Sequence, residues 1–349
     1  MTTHALVVRL DNEGDVLLAG PAIRAVARRA GRVTLLCGPR GLAAARLLPG
    51  VDDVVVFRAP WIDPEPDPVD RAAVVGLVDR IAALAVDEAF VLSSFHQSPL
   101  PTALLLRMAG VPFVAATSEE YPGSLLDVRH RISDDVHEVE RSLSLVAAAG
   151  HALPSGDDGC LRIRRDRPAV SPIEFPSYVV VHPGASVSAR AWAPENHRRL
   201  VNALVAYGHN VVVTGSGNER ALTRTVAGPE RPGVLDLGGL TDLAGLAEVI
   251  AGAGAIVVGN TGPAHLAAAV GTPVVSLFAP TVPAVRWRPW KVPHALLGIQ
   301  TIACAGCRAR VCPIDGHPCI DSVTVDDVMS ALRSLIASNS GSASRKAAG

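Results

Sequence analysis

The chain has 349 residues and is close to neutral, with 32 Lys and Arg against 33 Asp and Glu; 49% of it is hydrophobic but only 4% aromatic. That length fills two aliphatic cores, the balanced charge offers no basic footprint for nucleic acid, and no apolar run reaches the roughly 18 residues that cross a bilayer. Six cysteines are too few for a disulfide scaffold in so long a chain, and the apolar run at 5–8 is too short for a secretory signal, so the cytoplasm is the expected compartment.

In chain order, the first half alternates short aliphatic runs with helical patterns. Strands are expected at 5–10, 32–37, 53–57 and 89–93, and helices at 16–30, 42–48, up to about 85, and 101–108. Alternation of this kind is the grammar of a parallel sheet wound by crossover helices. A proline-rich acidic loop occupies 60–70. From 153 to 176, Pro, Gly, Asp and Arg interrupt all periodicity, which predicts an interdomain linker. The second half repeats the pattern, with strands at 178–181, 210–214, 255–259 and 274–278 and helices at 194–207, 219–226, 242–251, 264–270 and 325–337. Pro263 opens the helix at 264–270 and Gly271 follows it, the expected asymmetry of helix ends. The chain therefore reads as α/β, with a first domain over 1–165, a second over 175–337, and a Ser/Gly/Ala tail at 338–349 too poor in apolar residues to order.

Ligands of doubly wound sheets bind beyond the carboxyl ends of the strands, so the loops after the strands hold the candidates. In the first, Gly14 permits a tight strand-to-helix turn that sets Asp15 at the start of a helix. There a carboxylate caps the first-turn amides or, kept ionised by the dipole, serves as a general base; local spacing leaves both open. In the second half, Asn260-Thr261-Gly262-Pro263 opens a helix whose amides suit a diphosphate, with Gly262 allowing close backbone approach and His265 in the first turn either a phosphate or sugar contact or a packed residue. His182-Pro183-Gly184-Ala185-Ser186 follows a strand, and nearby Arg190 is an anion contact or a solvated charge. Thr214-Gly215-Ser216-Gly217-Asn218-Glu219 also follows a strand. Arg220 stands where a dinucleotide fingerprint needs its third glycine, which disfavours nicotinamide and flavin cofactors, and Glu219 is placed to accept from a ribose diol. Cys304, Cys307, Cys312 and Cys319, spaced C-x2-C-x4-C-x6-C, admit a structural metal site, reduced thiols or a local disulfide. All positive charges but Lys291 and Lys346 are arginines, a skew that is mainly a GC-rich coding bias but leaves anion contacts to Arg.

Together the motifs resemble glycosyltransferase family 9, the ADP-heptose:lipopolysaccharide heptosyltransferases. The resemblance runs through Arg9, Gly14, Asp15, Val16 and Pro21; through Pro183 to Ser186 with Arg190 two before Trp192; through Thr214, Gly215 and Ser216; through TGPAHLAAAVGTPVVSLF from Thr261 to Phe278; and through the late cysteines. It implies a GT-B fold, two Rossmann-like domains facing a central cleft, with the acceptor in the first, the nucleotide-sugar in the second, and a final helix that often crosses back. It also implies an inverting mechanism that needs no metal or other cofactor. Asp15 is then the base and Arg190 the basic phosphate contact, where many relatives have Lys. Thr214, Gly215, Ser216, Glu219, Asn260, Thr261, Gly262, Pro263 and His265 bind the donor, ADP-heptose. The second partner is an acceptor hydroxyl on a glycan or small molecule, with no transmembrane segment and room for peripheral membrane contact. Asn260 departs from the acidic residue usual before Thr-Gly, which implies an altered donor sugar or reduced activity. The alternatives are an epimerase or hydrolase of the same fold, acting without an acceptor, or a nucleotide-sugar binding protein whose catalysis is impaired.

Overall fold

The computed structural model describes residues 3–165 and 173–346. The chain divides into two units, Met1–Arg164 and Arg165–Gly349, each built on a parallel six-stranded sheet.

In the first unit, β1 (His4–Arg9), β2 (Arg32–Cys37), β3 (Asp53–Val56), β4 (Glu88–Val91), β5 (Phe113–Thr117) and β6 (Val128–His130) lie in the order β3-β2-β1-β4-β5-β6. All neighbours are parallel. The chain winds outward from β1 one way and from β4 the other, so the crevice beyond their carboxyl ends is the topological switch point, where open α/β sheets take their ligands. The second unit repeats the plan with β7 (Val179–His182), β8 (Val211–Val213), β9 (Val234–Asp236), β10 (Ala255–Gly259), β11 (Val274–Leu277) and β12 (His294–Leu297) in the order β12-β11-β10-β7-β8-β9. Its switch point lies between β7 and β10, which pair with Val179 opposite Ala255 and His182 opposite Val258.

The central strands are covered on both faces, which is why they are nearly continuous aliphatic runs rather than alternating ones. Every residue of β1 and of β10 is buried. The edge strands β6, β9 and β12 are half-buried throughout and two of them have three residues, too little pattern to stand out in the sequence. β5, inside the first sheet, is a fourth strand not expected from the sequence.

Helices α1 (Glu13–Leu18), α2 (Gly20–Ala27), α3 (Leu42–Leu47), α4 (Arg71–Ala83), α5 (Leu100–Met108) and α6 (Glu138–Ala148) belong to the first unit. The single helix expected at 16–30 is thus two. Pro21 lacks the N–H that would continue α1 and its ring crowds the carbonyl four residues back, so the chain restarts with Pro21 in the first turn of α2. Two helices begin on side-chain caps: Asp70 accepts from the Ala72 amide at 2.9 Å, and His137 and Glu140 form a reciprocal capping box at the start of α6. The residues after 153, expected to be a linker, pack on this unit as far as they are described there. Asp157 takes both the Nε and Nη2 of Arg24 at 2.7 and 2.9 Å, and Leu161 is buried. The rest of that stretch includes 166–172, which lie outside the described residues.

The second unit carries α7 (Pro194–Ala206), α8 (Arg220–Ala227), α9 (Leu243–Ala251), α10 (Gly262–Val270), α11 (Ala284–Trp287), α12 (Pro318–Asp321) and α13 (Val325–Lys346). Gly271 ends α10 in the left-handed region at φ 81°, a conformation that costs a glycine nothing. The α13 helix runs to Lys346 rather than stopping at Ala337, and so takes in most of the stretch expected as a tail; 347–349 lie outside the described residues. Its Val328, Met329 and Leu332 join Val181, Trp192, Leu200 and Val257 in the core of this unit. Among the described residues no helix is long and apolar enough to cross a membrane.

Candidate active site

At the first switch point β1 ends in a charge. Arg9 follows five buried residues of the strand and is itself 1% exposed, so its guanidinium has to find partners within the protein. It finds them on four pieces of chain. Nη1 donates to the Leu92 carbonyl at 3.1 Å and to Glu138 Oε2 at 3.2 Å; Nη2 donates to Ser94 Oγ at 2.7 Å and to Asp15 Oδ1 at 3.1 Å. Nε stands 2.9 Å from Asp11 Oδ2, an ion pair. Asp11 also accepts from the Gln97 amide.

Three carboxylates around one guanidinium carry more negative than positive charge. Burial works against the Arg9 charge, but Asp11, Asp15 and Glu138 together more than offset it and the group titrates above its ordinary value. Burial pushes the Asp11 carboxyl up to about 6; Arg9 pulls it down, while Asp15 and Glu138 add to the rise. Burial raises Glu138 as well, against Arg9.

Asp15 is not the cap of its helix. Asn12 holds the cap backbone, with φ −82° and ψ 172°, and Asp15 is the third residue of α1, still in its first turn and with its side chain 19% exposed. It is therefore an acidic group at the positive end of α1, paired with a buried cation and open to solvent. The neighbouring exits are cleared by small residues: a Cβ on Gly38, at the end of β2, would lie 2.4 Å from the Leu10 carbonyl oxygen. Beside Asp11 and Asn12 lies a cavity of about 30 Å³, also lined by Pro39, Arg40 and Arg58.

The second switch point is built differently. The loop after β7 meets the loop after β8 where Glu219 lies over Gly184; a Cβ at Gly184 would stand 2.1 Å from Glu219 Oε1, so no other residue fits there undisturbed. Glu219 Oε2 accepts from the Ser216 amide and hydroxyl, both at 2.8 Å, while Gly215 gives room to Thr223 and Glu219. Beneath them His182 Nδ1 and Thr214 Oγ1 are 3.0 Å apart and buried. Burial lowers the His182 imidazole below its ordinary value, against the pull of Glu219. Thr214, Gly215, Ser216 and Glu219 are thus one cluster.

After β10, Asn260 is 5% exposed and Thr261 holds the N-cap position of α10. The Thr261 hydroxyl makes no capping bond; it turns to the Gly259 carbonyl at 3.5 Å, leaving the first turn of Gly262 and Pro263 to end on backbone. His265 in this helix is 4% exposed and belongs to its buried side. The turn Ser188–Arg190 adjoins this strand end: a Cβ on Gly259 would lie 3.3 Å from the Arg190 carbonyl oxygen. Arg190 Nε donates to Thr281 Oγ1 at 3.2 Å.

The cysteine-bearing segment braces that arginine, a role its sequence does not announce. The Arg310 carbonyl accepts from the Ala189 amide at 3.1 Å and the Ser188 hydroxyl at 3.3 Å, and His317 Nε2 lies 3.1 Å from the Ala189 carbonyl oxygen. On the other side, the Gly306 and Arg308 amides donate to the Pro280 and Thr281 carbonyls at 2.7 and 2.9 Å. Both pieces of backbone that hold Arg190 are therefore tied to one segment. All six cysteines are free thiols. Burial, together with Cys312, Cys304 and Cys307, pushes the Cys319 thiol up to about 11. Among the described residues no group of three or more His, Cys, Asp or Glu is arranged to hold a metal ion.

The family model for glycosyltransferase family 9 (heptosyltransferase) matches residues 93–317. The chain belongs to glycosyltransferase family 9. It is 32% identical over 164 residues to lipopolysaccharide heptosyltransferase 3 of Escherichia coli K12, a match covering 44% of the chain. The chain spans about half the length of the curated relatives it matches, 47% in this case. Among solved structures of the same fold are a glycosyl transferase family 9 protein from Veillonella parvula DSM 2008, with TM-score 0.76 and 15% identity over 96% of this chain and 97% of that one. An Escherichia coli heptosyltransferase with ADP-2-deoxy-2-fluoro heptose gives TM-score 0.71 and 19% identity over 95% and 99%. These likenesses give the family 9 chain its fold, the two-domain α/β arrangement of GT-B enzymes.

Proposed function

We propose that the chain is an inverting, metal-independent glycosyltransferase. It moves a sugar from a nucleotide diphosphate donor, ADP-heptose, to an acceptor hydroxyl in lipopolysaccharide-like, other cell-surface glycan or natural-product biosynthesis. The observation that carries the reading is Asp15: a partly exposed carboxylate in the first turn of α1, at a switch point, paired with a fully buried Arg9. A general base has to be reachable and held in one direction, and this setting provides both.

In the reaction so read, Asp15 takes the proton of the acceptor hydroxyl as its oxygen attacks the anomeric carbon. The bond from that carbon to the diphosphate oxygen breaks on the opposite face, and ADP leaves with the electron pair. Arg190 and the first-turn amides of α10 take up the charge on the departing diphosphate, the part usually given to preorganised donors. Glu219, fixed over Gly184 by Ser216, accepts from the ribose diol. Asn260, an amide where the family commonly has an acid, bonds the donor sugar without adding charge. Thr214, Gly215, Thr261, Gly262, Pro263 and His265 shape the rest of the donor subsite.

The test is ADP release from ADP-heptose against a panel of hydroxyl acceptors. The reading expects release only when acceptor is present, with the glycosidic bond inverted. Release without acceptor, or an isomerised donor, contradicts it.

A further inference from the structure

The buried guanidinium of Arg9 has no part in the reaction as written, yet it ties together four pieces of the first unit's chain. Its four Nη N–H groups donate to α1, to the segment after β4 and to α6, and its Nε stands in an ion pair with Asp11 on β1's own exit loop. We propose that Arg9 is a positioning residue for Asp15, seated by Glu138 from α6 so that its outer nitrogen fixes the Asp15 carboxylate. This rests on the reading of Asp15 as the general base.

The argument is geometric. Nη1 is occupied by Leu92 and Glu138 on one side of the guanidinium plane's fork, and Nη2 by Ser94 and Asp15 on the other. A planar fork bound at both prongs cannot rotate, so the direction in which Nη2 presents its N–H to Asp15 is set by residues 85 and 129 positions away in sequence. Lys at this position would keep the charge and lose the fork. Glu138 is the counter-charge that makes the seat: it is 1% exposed, and Arg141 on the same helix also acts on it. Asp11 competes for the same guanidinium through Nε, and the charges facing this group are Arg9, Asp11, Asp15, Glu138 and Arg141.

Two variants test it. Arg9→Lys should lower kcat for acceptor-dependent ADP release by about tenfold or more while KM for ADP-heptose stays within about twofold, because positioning acts on chemistry and the donor is held by other residues. Turnover within about threefold of wild type overturns the proposal. Should Arg9→Lys fail to fold, Glu138→Gln decides by the same split. A readout independent of transfer comes from carboxyl carbon-13 NMR of aspartate-labelled protein, with the Asp11 signal identified by Asp11→Asn. The Asp11 midpoint, near 6, should fall by roughly half a unit in Glu138→Gln, since one facing negative charge is gone. An unmoved midpoint means Glu138 does not seat the guanidinium and overturns the proposal. If the wild type releases no ADP with any acceptor, the transferase reading fails, and an Asp11 midpoint that is unmoved in Glu138→Gln then overturns the Arg9 seat separately.

Discussion

The two switch points solve the same topological problem with opposite materials. In the first unit the crevice between β1 and β4 is organised by charge, one buried guanidinium holding three carboxylates of which Asp15 reaches solvent. In the second, the crevice between β7 and β10 is organised by absence of side chain: Gly184 and Gly215 leave room that a Cβ would take from Glu219 and Thr223, and at Gly259 a Cβ would crowd the Arg190 carbonyl. A buried ionic cluster fixes direction and makes proton affinity sensitive to its neighbours, which suits a group that takes a proton. A glycine-cleared backbone offers amides and room, which suits a large anionic ligand.

The contrast is broken or sharpened by substitution. Arg9→Met leaves Asp11 and Glu138 buried without their cation and should cost about 3–5 kcal/mol in urea unfolding. Arg190→Met loses a half-buried bond to Thr281 and should cost about 1 kcal/mol, while weakening ADP binding. Equal losses at the two positions would erase the distinction. Next in size is Gly184→Ala. The new Cβ has to displace the Glu219 carboxylate, the movable end of a side chain, so stability should fall by only about 1–3 kcal/mol while the rise in melting temperature given by ADP is largely lost. An undiminished ADP shift would show that Glu219 does not need its place.

A pH measurement reaches the cluster itself. Folded Asp11 titrates near 6, above its ordinary 3.8, so the folded chain holds this proton longer than the unfolded one. Its contribution to stability is full below about pH 4 and declines as pH rises through 6; Asp11→Asn should flatten that decline. Parallel curves for the two proteins would place the titration elsewhere. The smallest effect is expected at the brace behind Arg190. His317→Ala removes one contact to the Ala189 carbonyl and should cost about 0.5–1 kcal/mol of stability, with a small weakening of ADP binding. A tighter complex would contradict the bracing role.

Much of this was legible in the sequence because it is local. The strand at 32–37, the strand at 255–259 and the Pro263 and Gly271 helix signals need only neighbours along the chain, and β2 and β10 carry those bounds. The break between α1 and α2 is written in Gly20-Pro21, although the apolar periodicity runs across it. What was not legible depends on distance or on weak pattern. β6, β9 and β12 lie at sheet edges, where half-burial leaves no long aliphatic run. At the candidate site, Asp15 and the loops of the second unit were visible as motifs. The partner Glu138, 129 residues from Arg9, sits in a helix that gives no sign of a buried acid. One signal did point there: an arginine directly after the apolar run at 5–8 of a central strand has to be paired inside the protein. Asn12 rather than Asp15 as the helix cap was settled by backbone, since both are residues that cap.

The central claim is that Asp15 acts as the base and does not merely decorate a helix end. The measurement is turnover of Asp15→Asn with ADP-heptose and a working acceptor, alongside the melting shift given by ADP. The account predicts turnover lower by about 10²–10⁴ with the ADP shift retained. Turnover close to wild type would contradict it.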